Sequence, residues 1–163
     1  MSWRERLEQI LNSVSVSGGD LVIVGIGNTL RGDDGVGVEL ARILKESMKS
    51  ERAKVFIVED KVDLIPKMLR DVNPGIILLL DAADFGGRPG EIRIMKLEEA
   101  SRKAISTHEL PLDLIMKAAG ISAPAYVLGI QVENLEFGKE VSPQVKAAAN
   151  EVASLLLKLV VSL

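Results

Sequence analysis

Continuous apolar runs rich in β-branched residues, each followed by a segment of helical periodicity, constrain this chain more than any other feature. The run LVIVGI at 21–26 carries no polar residue. A strand with one wet face alternates apolar and polar side chains, so an unbroken run reads as a strand buried on both faces. KVFIV at 54–58, IILLL at 76–80 and AYVLGIQ at 125–131 repeat the signal. GEIRIMKL at 90–97 alternates instead and reads as a half-buried edge strand. Between the runs, Val38, Ala41, Leu44 and Met48 form one stripe of a helix reaching from Gly35 to about Ser50. DLIPKMLRDV reads as a helix that stops near Asn73 and Pro74, with Pro66 tolerated in its first turn. PLDLIMKAAG is a short helix closed by Gly120, and a last helix starts near Pro143. Trp3, Leu7, Ile10 and Leu11 recur at helical spacing and predict a lead-in helix over residues 1–18. Strand and helix in alternation predict an α/β fold: three layers, with a mostly parallel twisted sheet and helices on both faces. The chain is read as one domain over residues 1–163, its α/β core at 19–163.

Composition narrows the function. Net charge is −3 and aromatic residues make up 3%, so neither a basic footprint nor a base-stacking platform favours nucleic acid. Cysteine is absent, which removes disulfides, thiolate metal sites and a cysteine nucleophile together. The N-terminal stretch lacks the apolar core of a signal peptide. The C-terminal VASLLLKLVVSL is shorter than the ~20 apolar residues that span a bilayer. A soluble, cytoplasmic protein without a membrane partner is expected. The stripe Val152, Leu155, Leu156, Leu159 and Val160 on the last helix reads as core, hence a monomer.

In open α/β sheets ligands sit beyond the C-terminal ends of the strands, at the switch point. The first such loop is GIGNTLRGDDGVG. Its spacing fails the dinucleotide fingerprint, because Leu30 stands at the third glycine position. It also fails the phosphate-loop motif, because Asp33 and Asp34 replace Lys and Ser/Thr and would repel a phosphate. One aspartate is accounted for as a helix cap. The second is surplus, and a carboxylate in a glycine-rich loop at the mouth of a sheet invites a cation.

Two further residues belong to the same mouth. Asp81 closes the third strand, with Asp84 the more ordinary loop acid behind it. In the usual doubly wound order the first and third strands flank the switch point, so Asp34 and Asp81 would face each other. Paired carboxylates bind hard cations or share a proton. His108 is the single histidine, ahead of a helix, with Ser106 and Glu109 spaced as a capping box. A single histidine there is more often a surface residue. With the two acids, however, it makes a three-ligand set for a borderline divalent ion, or a holder for a nucleophilic water. A serine triad lacks its Gly-x-Ser-x-Gly elbow, and a zinc protease lacks its His-Glu-x-x-His. An aspartic dyad of Asp34 and Asp81 stays open.

GIGNTLRGDDGVG, LLLDAADFGGRPGEIRI, STHELPLDLI and LGIQVENLEFGKEVSPQV together resemble the [NiFe]-hydrogenase maturation endopeptidases, in the branch that processes the hydrogenase-3-type large subunit. The resemblance covers residues 22 to about 145, and the lead-in helix lies outside it. It implies a cytoplasmic α/β protease that removes a short C-terminal extension from the large-subunit precursor after nickel insertion. It also implies a metal-binding trio of two acids and a histidine, carried here by Asp34, Asp81 and His108 as catalytic and metal residues. The nickel is expected to arrive with the substrate rather than to reside in the enzyme. It would polarise the scissile carbonyl or lower the pKa of a water, unless one acid acts as general base. Asn28 and the amides around Gly35 are candidates for holding the substrate tail. Two departures stand out: some relatives carry Glu where Asp34 stands, and an Asp-Gly-Gly turn after the second strand is replaced by VEDKVDLIP. The alternative function is a non-catalytic, nickel-sensing chaperone of the large subunit, using the same trio.

Overall fold

The structure, a computed structural model, describes residues 1–107 and 111–163. Five strands form one sheet: β1 (Asp20–Ile26), β2 (Ala53–Glu59), β3 (Pro74–Ala83), β4 (Ile92–Lys96) and β5 (Ala125–Gln131). Their order is β2-β1-β3-β5-β4, parallel throughout except for β4, which pairs antiparallel with β5 at the edge. After β1 the chain crosses to β2 on one side and then returns to β3 on the other. The switch point therefore falls between β1 and β3, as the alternation predicts.

The unbroken apolar runs are explained by burial on two faces. Leu21 and Ile23 of β1, with Leu78 and Leu80 of β3, join one core under α1 (Trp3–Ser17), α2 (Val36–Ser47) and α6 (Pro143–Val160). Their neighbours Val22, Val24, Ile77 and Leu79 join a second core under α3 (Ile65–Met68), α4 (Leu97–Arg102) and α5 (Leu112–Ala118). Successive side chains of a strand point to opposite faces, so each run supplies both layers. The fold is the expected three-layer α/β arrangement.

Three boundaries differ from the sequence reading. The segment 63–72 is a 3-10 turn (Val62–Leu64) and a single α turn, not a full helix. Val62, Ile65 and Leu69 already bury its apolar side, and Pro74 must straighten the chain into β3. β3 runs on past Leu80, because Asp81, Ala82 and Ala83 pair with Gly129, Ile130 and Gln131. Asp81 thus lies inside the strand rather than at its end. α4 has six residues, too few for a helical period to register in the sequence.

Candidate active site

The glycine loop is shaped by close backbone approach. Gly27 has φ +145°, and a Cβ there would stand 2.0 Å from the Asp34 carbonyl oxygen, so only glycine fits. The chain then folds into a 3-10 turn, Gly32–Gly35, which runs directly into α2. Asp34, 2% exposed, accepts a hydrogen bond from the Asn28 amide at 3.0 Å through Oδ2 and one from the Thr107 hydroxyl through Oδ1. Asn28 spends its own Oδ1 on the Leu30 amide at 2.9 Å, holding the loop it belongs to.

Neither aspartate caps α2, whose N-cap is Gly35 with no side-chain hydrogen bond. That corrects the capping reading of this pair. Asp33 is fully buried and reaches a different loop, the one between β5 and α6. Its Oδ2 accepts from Glu133 N (2.8 Å), Asn134 N (2.9 Å) and Ser142 Oγ (2.8 Å), and its Oδ1 from Ser142 N (2.6 Å). Backbone bonds from Asp33 N to Asn134 O and from Gly138 N to Leu30 O close the same seam. A buried carboxylate with four donors is a structural clamp.

Asp81, 5% exposed, projects from β3 on the face of α4 and α5, next along from Leu79. It accepts from the Ser106 hydroxyl at 2.5 Å. The segment leading there is strapped to the end of β3 by an antiparallel bridge between Ala83 and Ser106 and by Asp84 N donating to Ile105 O at 2.8 Å. Consecutive residues therefore bind the two acids: Ser106 holds Asp81 and Thr107 holds Asp34. The two carboxylates that the sequence assigns to one crevice are brought to one short segment. Ser106 and Thr107 were not singled out as site residues, and Ser106 does not cap α5, which starts after Pro111. His108 and Glu109 lie outside the described residues, so the histidine of the proposed trio and the rest of the capping box carry no geometry here. Among the described residues no group of three acids or histidines forms a metal cage.

Asp84 behaves as the ordinary loop acid it was read to be, accepting from Gly86 N and from Gln131 Nε2. Gln131, buried at the end of β5, ties this turn by accepting from Phe85 N and Gly87 N. The turn after β2 departs from the expected glycines, yet it keeps a left-handed residue: Glu59 has φ +57° and its carbonyl accepts from Gly27 N at 2.9 Å.

The donors to Asp34 and Asp81 described here, one amide and two hydroxyls, are neutral. They orient the carboxylates. Carboxylate oxygens are of the kind that suits a hard divalent cation.

Comparison with known proteins points the same way as the resemblance. Residues 38–159 match the family model described as HycI, hydrogenase maturation protease. That span includes Asp81 and begins just after the loop that carries Asp34. The hydrogenase 3 maturation protease of Escherichia coli strain K12 is 30% identical over 138 residues, covering 80% of this chain and 85% of that one. The crystal structure of the [NiFe] hydrogenase maturation protease HycI from Thermococcus kodakarensis KOD1 superposes with a TM-score of 0.80 at 29% identity, over 95% of this chain and 98% of that one. The solution structure of the endopeptidase HycI from Escherichia coli gives a TM-score of 0.70 at 25% identity, over 83% and 87% of the two chains.

Proposed function

This chain belongs to the hydrogenase maturation protease family, and from that premise we propose that it removes the C-terminal extension of a [NiFe]-hydrogenase large-subunit precursor after nickel has been inserted. The observation that carries this reading is the pair of buried carboxylates, Asp34 and Asp81, held by adjacent hydroxyls at the switch point. His108 is the next residue in the chain. Asp34, Asp81 and His108 grip the nickel that the precursor brings, so a precursor without metal offers them nothing to hold.

The reaction is hydrolysis of one peptide bond. Water oxygen bonds to the scissile carbonyl carbon, the C–N bond breaks, and the leaving amine takes up a proton. Bound nickel, as part of the substrate, supplies Lewis acidity at the carbonyl or the water. The carboxylates orient it and accept the proton released by the water. Thr107 and Ser106 keep both carboxylates aimed during this exchange. Metal assistance is therefore preferred to a metal-free aspartic dyad.

The test is a cleavage assay on the large-subunit precursor with and without nickel, read by product mass. One nickel-dependent loss of the C-terminal tail is expected. It should be abolished in Asp34→Asn and His108→Ala variants whose circular dichroism is unchanged. Cutting of metal-free precursor would return the site to an aspartic dyad. Nickel-dependent binding with no cut at all would make the protein a chaperone.

A further inference from the structure

Beside Asp81 the second core is incomplete. A cavity of about 560 Å³ opens between the sheet and the α4–α5 layer. Its floor is Ile26 of β1, Leu79 of β3 and Val127 of β5, and its sides include Leu97 and Ala100 of α4 and Leu112 of α5. Protein interiors normally leave no gap much larger than a water molecule. A space of this size, mostly apolar with a few polar groups converging on it, has the character of a ligand pocket, for which about 300–1,000 Å³ is usual. Small residues keep it open, since Ala100, Ser101 and Ala104 stand on one wall where longer side chains would fill it.

The cavity reaches one of the two carboxylates, Asp81. Asp81 and Ser106 both line it, and they are the residues that meet in the 2.5 Å hydrogen bond. Asp81 and Leu79 lie on the same face of β3, so a group seated over Leu79 is one strand repeat from the carboxylate. The exposed Arg102 and the half-buried Asp113 also line it, but the floor is apolar, so a charged side chain seated there would lose its hydration against Ile26, Leu79 and Val127. An aliphatic or thioether side chain would bury itself at no such cost.

Resting on the protease reading, we propose that this cavity is a specificity subsite that takes one uncharged, apolar side chain of the precursor within two residues of the scissile bond. Nickel selects the loaded precursor, and the cavity selects where along the tail the cut falls. The two selections use different residues: Asp34, Asp81 and His108 for the metal, and the α4–α5 wall for the side chain.

The experiment is steady-state cleavage of nickel-loaded precursor in which each of the two residues on either side of the cut is exchanged in turn for Asp or Ala. At one apolar position the exchange for Asp should lower kcat/KM at least tenfold, chiefly through KM. Ala100→Phe and, as a second filling variant, Ser101→Phe should show a similar loss on the parent precursor. They should recover when that substrate residue is shortened to Ala. Filling variants that keep the wild-type melting temperature and cut the parent precursor at the wild-type kcat/KM would overturn the proposal. So would a loss that no shortened substrate rescues. If the wild-type protein cuts nothing, the protease reading has failed independently. The cavity is then judged by the methyl resonances of Leu79, Leu97 and Leu112 during titration with a peptide of the precursor tail. Shifts absent from Ala100→Phe uphold the subsite, and no shift at saturating peptide rejects it.

Discussion

Asp33 and Asp34 are adjacent, both buried, and committed to opposite tasks. Asp33 accepts three backbone amides and one hydroxyl from the loop between β5 and α6, whereas Asp34 accepts from Asn28 and from Thr107 beside the crevice. The consequence for Asp33 is a test at the scale of one atom. Both of its oxygens act as acceptors, so in Asp33→Asn an NH₂ must face an N–H whichever way the amide lies. A buried donor left without an acceptor costs about 1–3 kcal/mol, and charge-assisted hydrogen bonds are lost besides. We expect Asp33→Asn to destabilise the protein by about 2–4 kcal/mol in urea denaturation, and a change below about 0.5 kcal/mol would refute the clamp. Asp34→Asn, by contrast, is expected to spare the fold and lose the cleavage. Sequence reasoning separated the two aspartates through topology and resemblance, but the capping it allowed for one of them is not what the structure shows. A helix cap is a local device and easily imagined from sequence. The donors that claim Asp33 come from a loop about a hundred residues further on, and nothing near Asp33 announces them.

Among the elements, the N-terminal helix carries none of the motifs on which the sequence resemblance rests. Its stripe was legible from spacing, and in the structure Leu7, Ile10, Leu11 and Val14 are buried in the core of one face with α2 and α6. Both ends are fastened. Ser2 accepts from Glu5 N at the start, and the Arg52 guanidinium donates to Val14 O and Gly19 O at the finish. α1 is thus a structural member of its layer. Leu7→Ala, which empties a fully buried position, should cost about 2–5 kcal/mol in chemical denaturation. Full stability in that variant would make α1 a peripheral attachment instead. α4 and α3 mark the limit of periodicity as a guide. A six-residue helix with Leu97 and Ala100 facing inward repeats too little to be told from a loop.

At the scale of the whole molecule, the crevice exists because α2 starts hard against the ends of β1 and β3. Gly37 makes this possible: a Cβ there would lie 2.2 Å from the Leu80 carbonyl oxygen and 2.5 Å from that of Ile26. Gly37→Ala must push α2 away from the switch point and carry the Asp34 turn with it. A cost of about 3 kcal/mol, at the upper end for overpacking, is expected in thermal unfolding together with reduced cleavage. An unchanged melting temperature would show that the helix tolerates displacement. The layered fold and the edge position of the strand at 92–96 could be read from residue order. Strand periodicity and the right-handed crossover are local rules that leave regular traces. Three things waited for the folded chain: the diversion of Asp33 to a distant loop, the strap that lays Ser106 and Thr107 on the two acids, and the gap left beside Asp81 by small residues on α4 and just beyond it. Each depends on side chains and backbone meeting across long stretches of sequence. Such meetings are set by packing and hydrogen bonding in three dimensions, and they impose no period on the residues between.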